Sequence, residues 1–422
     1  MTLCPLFEAS LTYPHHTAID DGFEKISYES LNKLINYAEC QLKDLSEKKI
    51  ALLAKSHVST YICIIALLRL GYPFLLLHPK STTYADFTIL DPEKLRLEKT
   101  QSTSKFIDLS KKAFYFLSSG SSGKPKLIAH SPNNILESAK STVQHYSIEE
   151  SSTYLCQLPI NHVGGFMIFF RMILTGGSIL LKNSRSYEYC SLVPTQLYRL
   201  LNDPSQDLSF YKGCKKILIG GSPLAEPCLL KAIQNDLALS LTYGLSELAS
   251  QVTAGLHNLG HPLKGKLIKI NQDSEILLKG NSLFLGYGLD PLMPALEDGY
   301  FKTNDLGIYD EEMGLKFIGR KDRMFTKGGE NIYPEALESI IYSIKHVLLC
   351  CVVDISNHEY GSLIGCFIDP YSNELNDEIN RGIQERLGSF FKISYFFKMP
   401  ETTGLKPSFK QLKVLANEKI NP

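Results

Sequence analysis

The chain of 422 residues has no excess of either charge, because its 44 lysine and arginine residues balance its 44 aspartate and glutamate residues. A neutral chain lacks the long-range field that attracts nucleic acids or anionic membranes, so we expect neither as the main partner. It also lacks an apolar run of membrane-spanning length, since Arg69, Gly71 and Pro73 interrupt its most apolar stretch, Tyr61–Leu77. The N-terminal region has no signal-peptide pattern, and we therefore expect a cytoplasmic protein.

The ten cysteines form neither a Cys-x-x-Cys pair nor a Cys/His cluster with zinc-ligand spacing. Most of them lie inside apolar segments, where a free thiol behaves as a small hydrophobic side chain. We expect reduced core residues rather than a disulfide framework. This interpretation applies to Cys63, Cys156, Cys190, Cys350, Cys351 and Cys366.

Short apolar runs alternate with amphipathic segments over the first three quarters of the chain. Ile50–Leu53 and Phe74–Leu77 are typical of buried strands, and Ser30 is the candidate cap of a helix that begins at Leu31. This alternation predicts an α/β fold with a mostly parallel sheet covered on both faces. Beyond an apparently exposed charged stretch at residues 319–323, two strand patterns and two helix patterns predict a small α+β module.

The strongest local motif is Ser118–Lys126, which directly follows an apolar strand pattern. Its glycines allow a tight turn, and its hydroxyl, ammonium and backbone N–H groups are the donors that bind a polyphosphate. It is not a Walker A loop, because Pro125 stands where Ser or Thr would bind magnesium. The alternative is a solvated serine- and glycine-rich linker.

Four weaker motifs follow in the chain. In Thr242–Glu247, Tyr243 could stack on a base and Glu247 could bind Mg²⁺. Asp305, placed at the end of a turn, could accept ribose hydroxyls, and Arg320 could contact ribose or phosphate. A Gly-Gly loop at 326–335 and a lysine near the C-terminus complete the series. Taken singly, each is equally well explained as a loop, a turn or a surface charge.

In this order the five motifs resemble those of the adenylate-forming superfamily of acyl-CoA synthetases, peptide-synthetase adenylation domains and luciferases. The resemblance extends over nearly the whole chain. It implies a large N-terminal domain of layered α/β sheets at residues 1–319, a hinge at 320–323 and a small mobile C-terminal α+β domain at 324–422. It also implies ATP, Mg²⁺ and coenzyme A as ligands.

The same resemblance implies a role for each motif. The implied phosphate loop comprises Ser118, Ser119, Gly120, Ser121, Ser122, Gly123, Lys124 and Lys126. Further nucleotide contacts are implied for Gly221, Ser222, Tyr243, Gly244, Ser246, Asp305 and Arg320, and the mobile loop for Lys327, Gly328 and Gly329. Glu247 and Ser122 correspond to the Mg²⁺ site, and Lys406 corresponds to the catalytic lysine. Ser246 replaces the family's Thr, and Asn304 replaces the Gly of its Thr-Gly-Asp motif.

Within the superfamily the chain is most similar to the o-succinylbenzoate–CoA ligases of menaquinone biosynthesis. The segments that carry this similarity are Leu158–Gly165, Leu192–Leu201, Tyr243–Ser250 and Gly404–Lys406. The chain departs from that group in two places. Gly164 stands where some members have Ser, and Phe409 stands where a basic residue is usual.

That similarity implies 2-succinylbenzoate as the carboxylic acid, bound near His162, Gly244 and Arg199, and it implies that His162 and Glu247 act with Lys406 as catalytic residues. Arg199 lies in an apolar helix-like run, where a charge must be paired or face a ligand, and it is the candidate partner of the second carboxylate. The alternatives are a core-edge histidine at 162 and a structural or surface arginine at 199. Another aryl- or fatty-acyl-CoA ligase, a carrier-protein loader and a non-catalytic nucleotide-binding homologue also stay open, as does a homodimer.

Overall fold

The computed structural model describes residues 1–45, 49–84, 87–95, 105–118, 125–182, 186–203, 205–256, 258–344, 347, 349–400 and 409–420. Residues 119–124 of the serine-rich loop and residues 401–408, which include Lys406, lie outside the described residues. The roles assigned to them therefore stay predictions.

Proline opens the first turn of several helices, where its missing N–H costs no hydrogen bond. The predicted cap of α2 is wrong by three residues: Ser27 is the cap, and its hydroxyl accepts from the Ser30 N–H, because the helix starts a turn earlier than the apolar pattern. The helices are α1 (Pro5–Thr12), α2 (Tyr28–Leu42), α3 (Val58–Leu70), α4 (Pro132–Tyr146), α5 (Val163–Thr175), α6 (Pro194–Asn202), α7 (Ser209–Lys212), α8 (Glu226–Gln234), α9 (Pro334–Tyr342), α10 (Asn373–Leu387) and α11 (Phe409–Ile420).

Strands alternate with these helices as predicted. In chain order they are β1 (Thr2–Leu3), β2 (Thr17–Asp20), β3 (Lys25–Ser27), β4 (Ile50–Leu53), β5 (Phe74–Leu77), β6 (Thr88–Leu90), β7 (Phe106–Ile107), β8 (Phe114–Ser118), β9 (Lys126–His130), β10 (Thr153–Leu155), β11 (Ser178–Leu180), β12 (Tyr189–Leu192), β13 (Lys216–Ile219), β14 (Leu239–Leu245), β15 (Ser250–Gly255), β16 (His261–Pro262), β17 (Lys266–Ile270), β18 (Glu275–Gly280), β19 (Gly286–Tyr287), β20 (Phe301–Asp310), β21 (Gly314–Arg320), β22 (Phe325–Lys327), β23 (Glu330–Ile332), β24 (Leu349–Asn357), β25 (Gly361–Asp369) and β26 (Tyr395–Lys398).

Two large sheets dominate the region before residue 320. One has the order β16-β15-β14-β13-β12-β10-β11-β2-β3, with parallel pairing from β14 to β2. The other has the order β19-β9-β8-β5-β4-β6, with parallel pairing from β8 to β6. A four-stranded antiparallel sheet, β17-β18-β20-β21, follows. In the two large sheets the inner strands are parallel, as predicted, whereas antiparallel strands lie at the edges.

The six-stranded sheet is buried on both faces. Leu52, Phe74 and Phe114 belong to the largest apolar cluster, whereas the alternating residues Ala51 and Leu75 belong to a second cluster. Alternate side chains of a strand point to opposite faces, so a continuous apolar run is what a doubly covered sheet requires.

The region after residue 320 has apolar clusters of its own. Alternate residues of β24 divide between a cluster with α9 and α10 and a cluster with α11. Both clusters consist of residues 325–420, and β25 and β26 complete the three-stranded sheet between them. The exact domain boundaries stay a proposal.

All ten cysteines are free thiols, as predicted, and all except Cys40 are buried. In the part of the chain that the structure covers, no group of three or more His, Cys, Asp or Glu side chains could hold a metal ion. None of the helices described is long and apolar enough to cross a bilayer.

Candidate active site

Four parallel strands of the nine-stranded sheet end at the same edge. The segments that follow β10, β12, β13 and β14 contain His162, Arg199, Gly221 and Glu247, respectively. In open α/β sheets, ligands bind in the crevice outside the carboxyl ends of parallel strands. The topology therefore brings four of the candidate site residues to one edge.

Gly220 and Gly221 are glycines for identifiable structural reasons. A Cβ atom at Gly220 would lie 2.4 Å from Thr242 Oγ1 in the neighbouring strand. Gly221 has φ +85°, in the left-handed region that favours glycine. Gly221 is exposed and Ser222 is half-buried at the sheet edge, and their predicted nucleotide contacts stay predictions.

Gly244 is explained by the fold itself. A Cβ atom there would lie 2.0 Å from the Ser250 carbonyl oxygen, because β14 and β15 pair closely next to an irregularity in their register. The glycine is thus required without any ligand. Its predicted contacts with nucleotide and substrate stay predictions.

The serine-rich loop joins β8 to β9 as a hairpin, in which Ser118 pairs with Lys126. Lys126 is exposed, and its ammonium nitrogen lies 4.9 Å from the centre of the Tyr287 ring. The Tyr287 hydroxyl donates to Glu247 Oε1 at 2.8 Å. The loop and the predicted metal carboxylate are therefore connected through one aromatic side chain.

Glu247 fits a magnesium site. Its side chain is half-buried, and within the described residues its second oxygen, Oε2, has no hydrogen-bond or ion-pair partner. One fixed oxygen and one available oxygen suit a hard cation that prefers oxygen ligands. Ser122, the second predicted metal residue, lies outside the described residues.

Asp305 lies inside β20, not at the end of a turn as the sequence suggested. Its Oδ1 accepts from Arg320 at 2.9 Å and its Oδ2 accepts from the Tyr243 hydroxyl at 2.7 Å. Burial raises the pKa of Asp305, and the Arg320 guanidinium opposes that rise. Arg320 also donates to both oxygens of Asp322. The predicted ribose-binding pair is thus assembled in the structure.

Tyr243 is more buried than we would expect of a side chain that stacks on a nucleotide base. Its ring belongs to a buried apolar cluster, and only 8% of the residue is exposed. Its hydroxyl orients Asp305. Stacking on a base stays a prediction.

The substitution of Asn304 for the family's glycine has a backbone explanation. Asn304 has φ +59°, which only Gly and, less readily, Asn or Asp adopt without strain. Asparagine therefore keeps the left-handed backbone conformation next to Asp305, which pairs with Arg320 across β20 and β21.

The Gly328–Gly329 pair forms the turn of the β22–β23 hairpin. Their φ angles are +53° and +86°, and a two-residue turn with both angles positive is the geometry favoured between paired strands. Lys327 is buried, its ammonium group donates to the Phe390 carbonyl, and desolvation lowers its pKa. The glycines are explained by the hairpin, and the ligand role of this loop stays a prediction.

His162 and Arg199 are both exposed. His162 is the N-cap residue of α5. In the first turn of that helix, Gly165 packs against the backbone of Pro159, and a Cβ atom at Gly165 would lie 2.4 Å from the Pro159 carbonyl oxygen. Arg199 lies on the solvent side of α6, so the premise that it is a buried charge is wrong: the apolar run is one face of an amphipathic helix. Its role toward the substrate stays a prediction.

Sequence reasoning missed two residues of this site, His130 and Tyr287. His130 is fully buried, and its Nε2 donates to the Ser246 carbonyl oxygen at 2.7 Å. Burial lowers its pKa to about 4, which keeps the imidazole neutral at pH 7. Both residues belong to strands beside the serine-rich loop, and no local signal reveals their partners, which lie 116 and 40 residues away.

Acidification should destabilise the protein through His130. A histidine whose folded-state pKa lies below the unfolded value contributes stability above pH 6.5 and loses it as the pH falls toward 4. The expected loss between pH 7 and pH 5 is about 2 kcal/mol. The loss is measured by urea unfolding at pH 7 and pH 5 of the wild type and of His130→Gln, a variant that keeps an N–H donor. The variant should lose less stability over this interval; parallel losses would contradict the assignment.

Comparisons with known proteins identify the family of the chain. Residues 83–288 match the family described as AMP-binding enzyme. The 2-succinylbenzoate–CoA ligase of Listeria innocua is 30% identical over 449 aligned residues, which cover 93% of this chain and 94% of that ligase.

The solved structures share the fold over the full length. The o-succinylbenzoate CoA synthetase (MenE) of Bacillus subtilis with the acyl-adenylate intermediate OSB-AMP has a TM-score of 0.86 at 22% identity, covering 98% of each chain. The same enzyme with ATP and magnesium ion has a TM-score of 0.82 at 23% identity, covering 97% of this chain and 99% of that one. The predicted fold class, with a large N-terminal and a small C-terminal domain, is confirmed.

The order of motifs along the chain and the full-length similarity to a 2-succinylbenzoate–CoA ligase agree. The chain therefore belongs to the AMP-binding enzyme family, as an adenylate-forming acid–CoA ligase.

Proposed function

We propose that this ligase activates 2-succinylbenzoate with ATP and transfers the acyl group to coenzyme A, a step of menaquinone biosynthesis. The observation that carries the proposal is the 30% identity, over nearly the entire length of both chains, to a 2-succinylbenzoate–CoA ligase. The assembly of Glu247, Asp305 and Arg320 next to the phosphate-loop hairpin supports the nucleotide part of the reaction.

In the first half-reaction, a carboxylate oxygen of the acid attacks the α-phosphorus of ATP, and the bond to pyrophosphate breaks. An anion approaches a polyanion, so the barrier depends on fixed cations and donors around the phosphates. Lys126 and the loop that precedes it supply these groups at the β- and γ-phosphates, and Lys406 bridges the carboxylate and the α-phosphate. When bound at Glu247, Mg²⁺ supplies further positive charge.

In the second half-reaction, the thiol sulfur of coenzyme A attacks the acyl carbon, the acyl–oxygen bond to AMP breaks, and the thiol proton leaves. Lys406 has to withdraw so that the thiol can approach. A rotation at the hinge removes it and brings the loop around Gly328 to the site.

Side-chain contacts narrow the predicted hinge of residues 320–323. Arg320 is bound to Asp305 of the preceding region, whereas Arg323 donates to Glu335 and Glu338 of α9. Arg320 is thus anchored to the region before the hinge, and Arg323 is anchored to the region after it. Lys321 is also bound to the preceding region, through Asp273 at 3.1 Å, and we therefore assign the pivot to the backbone at Asp322.

One carboxylate of 2-succinylbenzoate survives activation and needs a partner. Arg199 follows β12 at the edge where the nucleotide motifs meet, and it is exposed to an incoming ligand. A charge-assisted hydrogen bond contributes about 1.5–3 kcal/mol. Arg199 therefore distinguishes a dicarboxylate from a monocarboxylate.

The acid is tested by measuring thioester formation with 2-succinylbenzoate, benzoate and medium-chain fatty acids. We expect kcat/KM for 2-succinylbenzoate to fall about 10- to 100-fold in Arg199→Met, with the benzoate rate unchanged, because the lost interaction is made only with the second carboxylate.

Lys212→Met is the matched control, since it removes an exposed cation at the end of α7. It should leave kcat/KM for both acids at the wild-type value. Comparable wild-type rates with benzoate and 2-succinylbenzoate would exclude Arg199 as the carboxylate anchor. A preference for fatty acids would assign the enzyme to another class of acyl-CoA ligase.

A further inference from the structure

We propose that Tyr287 is a positioning residue for the nucleotide site: its hydroxyl fixes Glu247 for Mg²⁺·ATP, and its ring keeps Lys126 separate from that carboxylate. The inference rests on the proposed nucleotide roles of Glu247 and Lys126 but not on the identity of the acid. Tyr287 belongs to none of the sequence motifs that predicted the site.

The hydroxyl contact is short and specific. Tyr287 Oη donates to Glu247 Oε1 at 2.8 Å, and it is the one side-chain hydrogen bond that Glu247 makes within the described residues. A glutamate held by a single donor loses its preferred rotamer when that donor is removed. The backbone around Glu247 is fixed independently, because its carbonyl oxygen accepts from the Phe284 N–H at 2.7 Å.

The Tyr287 ring is itself rigidly placed. Gly286 and Tyr287 pair with Ala129 and Ile128 of β9, the strand that leaves the phosphate loop. The Tyr287 backbone also exchanges two hydrogen bonds with Leu292, at 3.1 and 3.0 Å. The Phe284 ring packs edge-on against it, with centroids 4.8 Å apart. The hydroxyl is thus directed by a fixed ring on a fixed strand.

Lys126 lies on the same ring. Its ammonium nitrogen is 4.9 Å from the ring centre, within the range of a cation–π contact. Lys126 and Glu247 therefore contact the same aromatic side chain, and no ion pair joins the two within the described residues. A direct pair would neutralise both groups. Because each group contacts Tyr287 instead, the ammonium stays available for phosphate and the carboxylate for a cation.

This arrangement predicts different consequences for the hydroxyl and for the ring. The hydroxyl acts through Glu247, so its loss should matter only when a divalent cation is bound. The ring acts on Lys126, so its loss should weaken nucleotide binding with or without the cation. A residue with a merely structural role would not separate the two conditions.

The experiment measures ATP binding calorimetrically, with Mg²⁺ and with EDTA, for the full-length wild type, Tyr287→Phe and Tyr287→Leu. In Tyr287→Phe we expect about tenfold weaker ATP binding with Mg²⁺ and unchanged binding in EDTA. The Mg²⁺ concentration for half-maximal pyrophosphate release should rise by a similar factor. Tyr287→Leu should in addition bind ATP more weakly in EDTA.

Two controls make the result specific. Tyr309→Phe deletes the same hydroxyl from a tyrosine whose Oη lies 3.4 Å from His261 Nδ1, and it should bind ATP like the wild type. In a Glu247→Gln background, Tyr287→Phe should cause no further loss, because the hydroxyl would have no carboxylate to position. The proposal would be overturned if Tyr287→Phe lost the same ATP affinity with Mg²⁺ as with EDTA. It would also be overturned if the losses of ATP affinity caused by Tyr287→Phe and Glu247→Gln added in the double variant.

The outcomes separate this inference from the proposed function. If the wild type does not activate 2-succinylbenzoate but Tyr287→Phe shows the Mg²⁺-specific loss, the positioning role is supported and the assigned acid is wrong. If wild-type ATP binding is indifferent to Mg²⁺, the metal role of Glu247 and the role of Tyr287 are both wrong.

Discussion

Replacement of Lys406 by alanine should slow acyl-adenylate formation by about 10²- to 10³-fold. The physical reason is the loss of a fixed ammonium group where negative charge of the carboxylate and the α-phosphate meets, a change of about 3–4 kcal/mol by analogy with an oxyanion donor. Acid-dependent pyrophosphate release measures this step directly. Thioester formation from pre-formed acyl-adenylate should change only a few-fold, since Lys406 leaves the site before the thiol enters.

Lys410→Ala is the matched control for this variant. It removes the same charge from an exposed position four residues away, at the start of α11, and it should release pyrophosphate at the wild-type rate. Wild-type adenylation by Lys406→Ala would disprove the assignment of the catalytic lysine. An equal slowing of both half-reactions would show that the residue acts on folding or binding instead.

Arg323→Met should destabilise the C-terminal region by about 3–5 kcal/mol. The Arg323 guanidinium donates to Glu335 at 3.0 Å and to Glu338 at 3.1 Å, and their side chains are only 5% and 14% exposed. Removal of the cation leaves two neighbouring carboxylates uncompensated, whereas an isosteric apolar residue restores only the packing. The midpoint of urea unfolding at constant m-value measures the change.

A compensating variant tests the electrostatic cause. Adding Glu335→Gln and Glu338→Gln to Arg323→Met should recover much of the lost stability, because neutral amides need no counter-charge. Lys33→Met, which breaks an ion pair whose side chains are 58% and 47% exposed, should cost less than about 1 kcal/mol. If Arg323→Met unfolds at the wild-type urea concentration, the pivot assigned to Asp322 loses its support.

Part of the site could be predicted from sequence because its signals are local. The glycine and serine pattern of Ser118–Lys126, the Tyr-Gly-Leu-Ser-Glu run and Asp305 each carry recognisable chemistry within a few residues. The alternation of apolar strands and amphipathic helices is equally local, and it correctly predicted strands β4 and β5.

The errors arose where the local pattern was incomplete. Arg199 seemed buried because its neighbours are apolar, but one face of a helix is enough to bury them. Arg323 seemed to be an exposed hinge residue, but its partners in α9 are 12 and 15 residues away. Gly244 is a different case: the carbonyl of Ser250 in the paired strand already excludes a side chain there, so the glycine is explained without a ligand, and its ligand contacts stay predictions.

The order of motifs along the chain and the α/β class were determined by the sequence alone, because short-range patterns encode them, and the resemblance of these motifs to the adenylate-forming superfamily implied the chemistry. The tertiary structure decided which distant groups meet: the Tyr287 hydroxyl with Glu247, the His130 imidazole with the Ser246 carbonyl, and Arg320 with Asp305. Such contacts depend on strand order and register, which position residues far apart in the chain to within hydrogen-bonding distance. No local propensity specifies that arrangement.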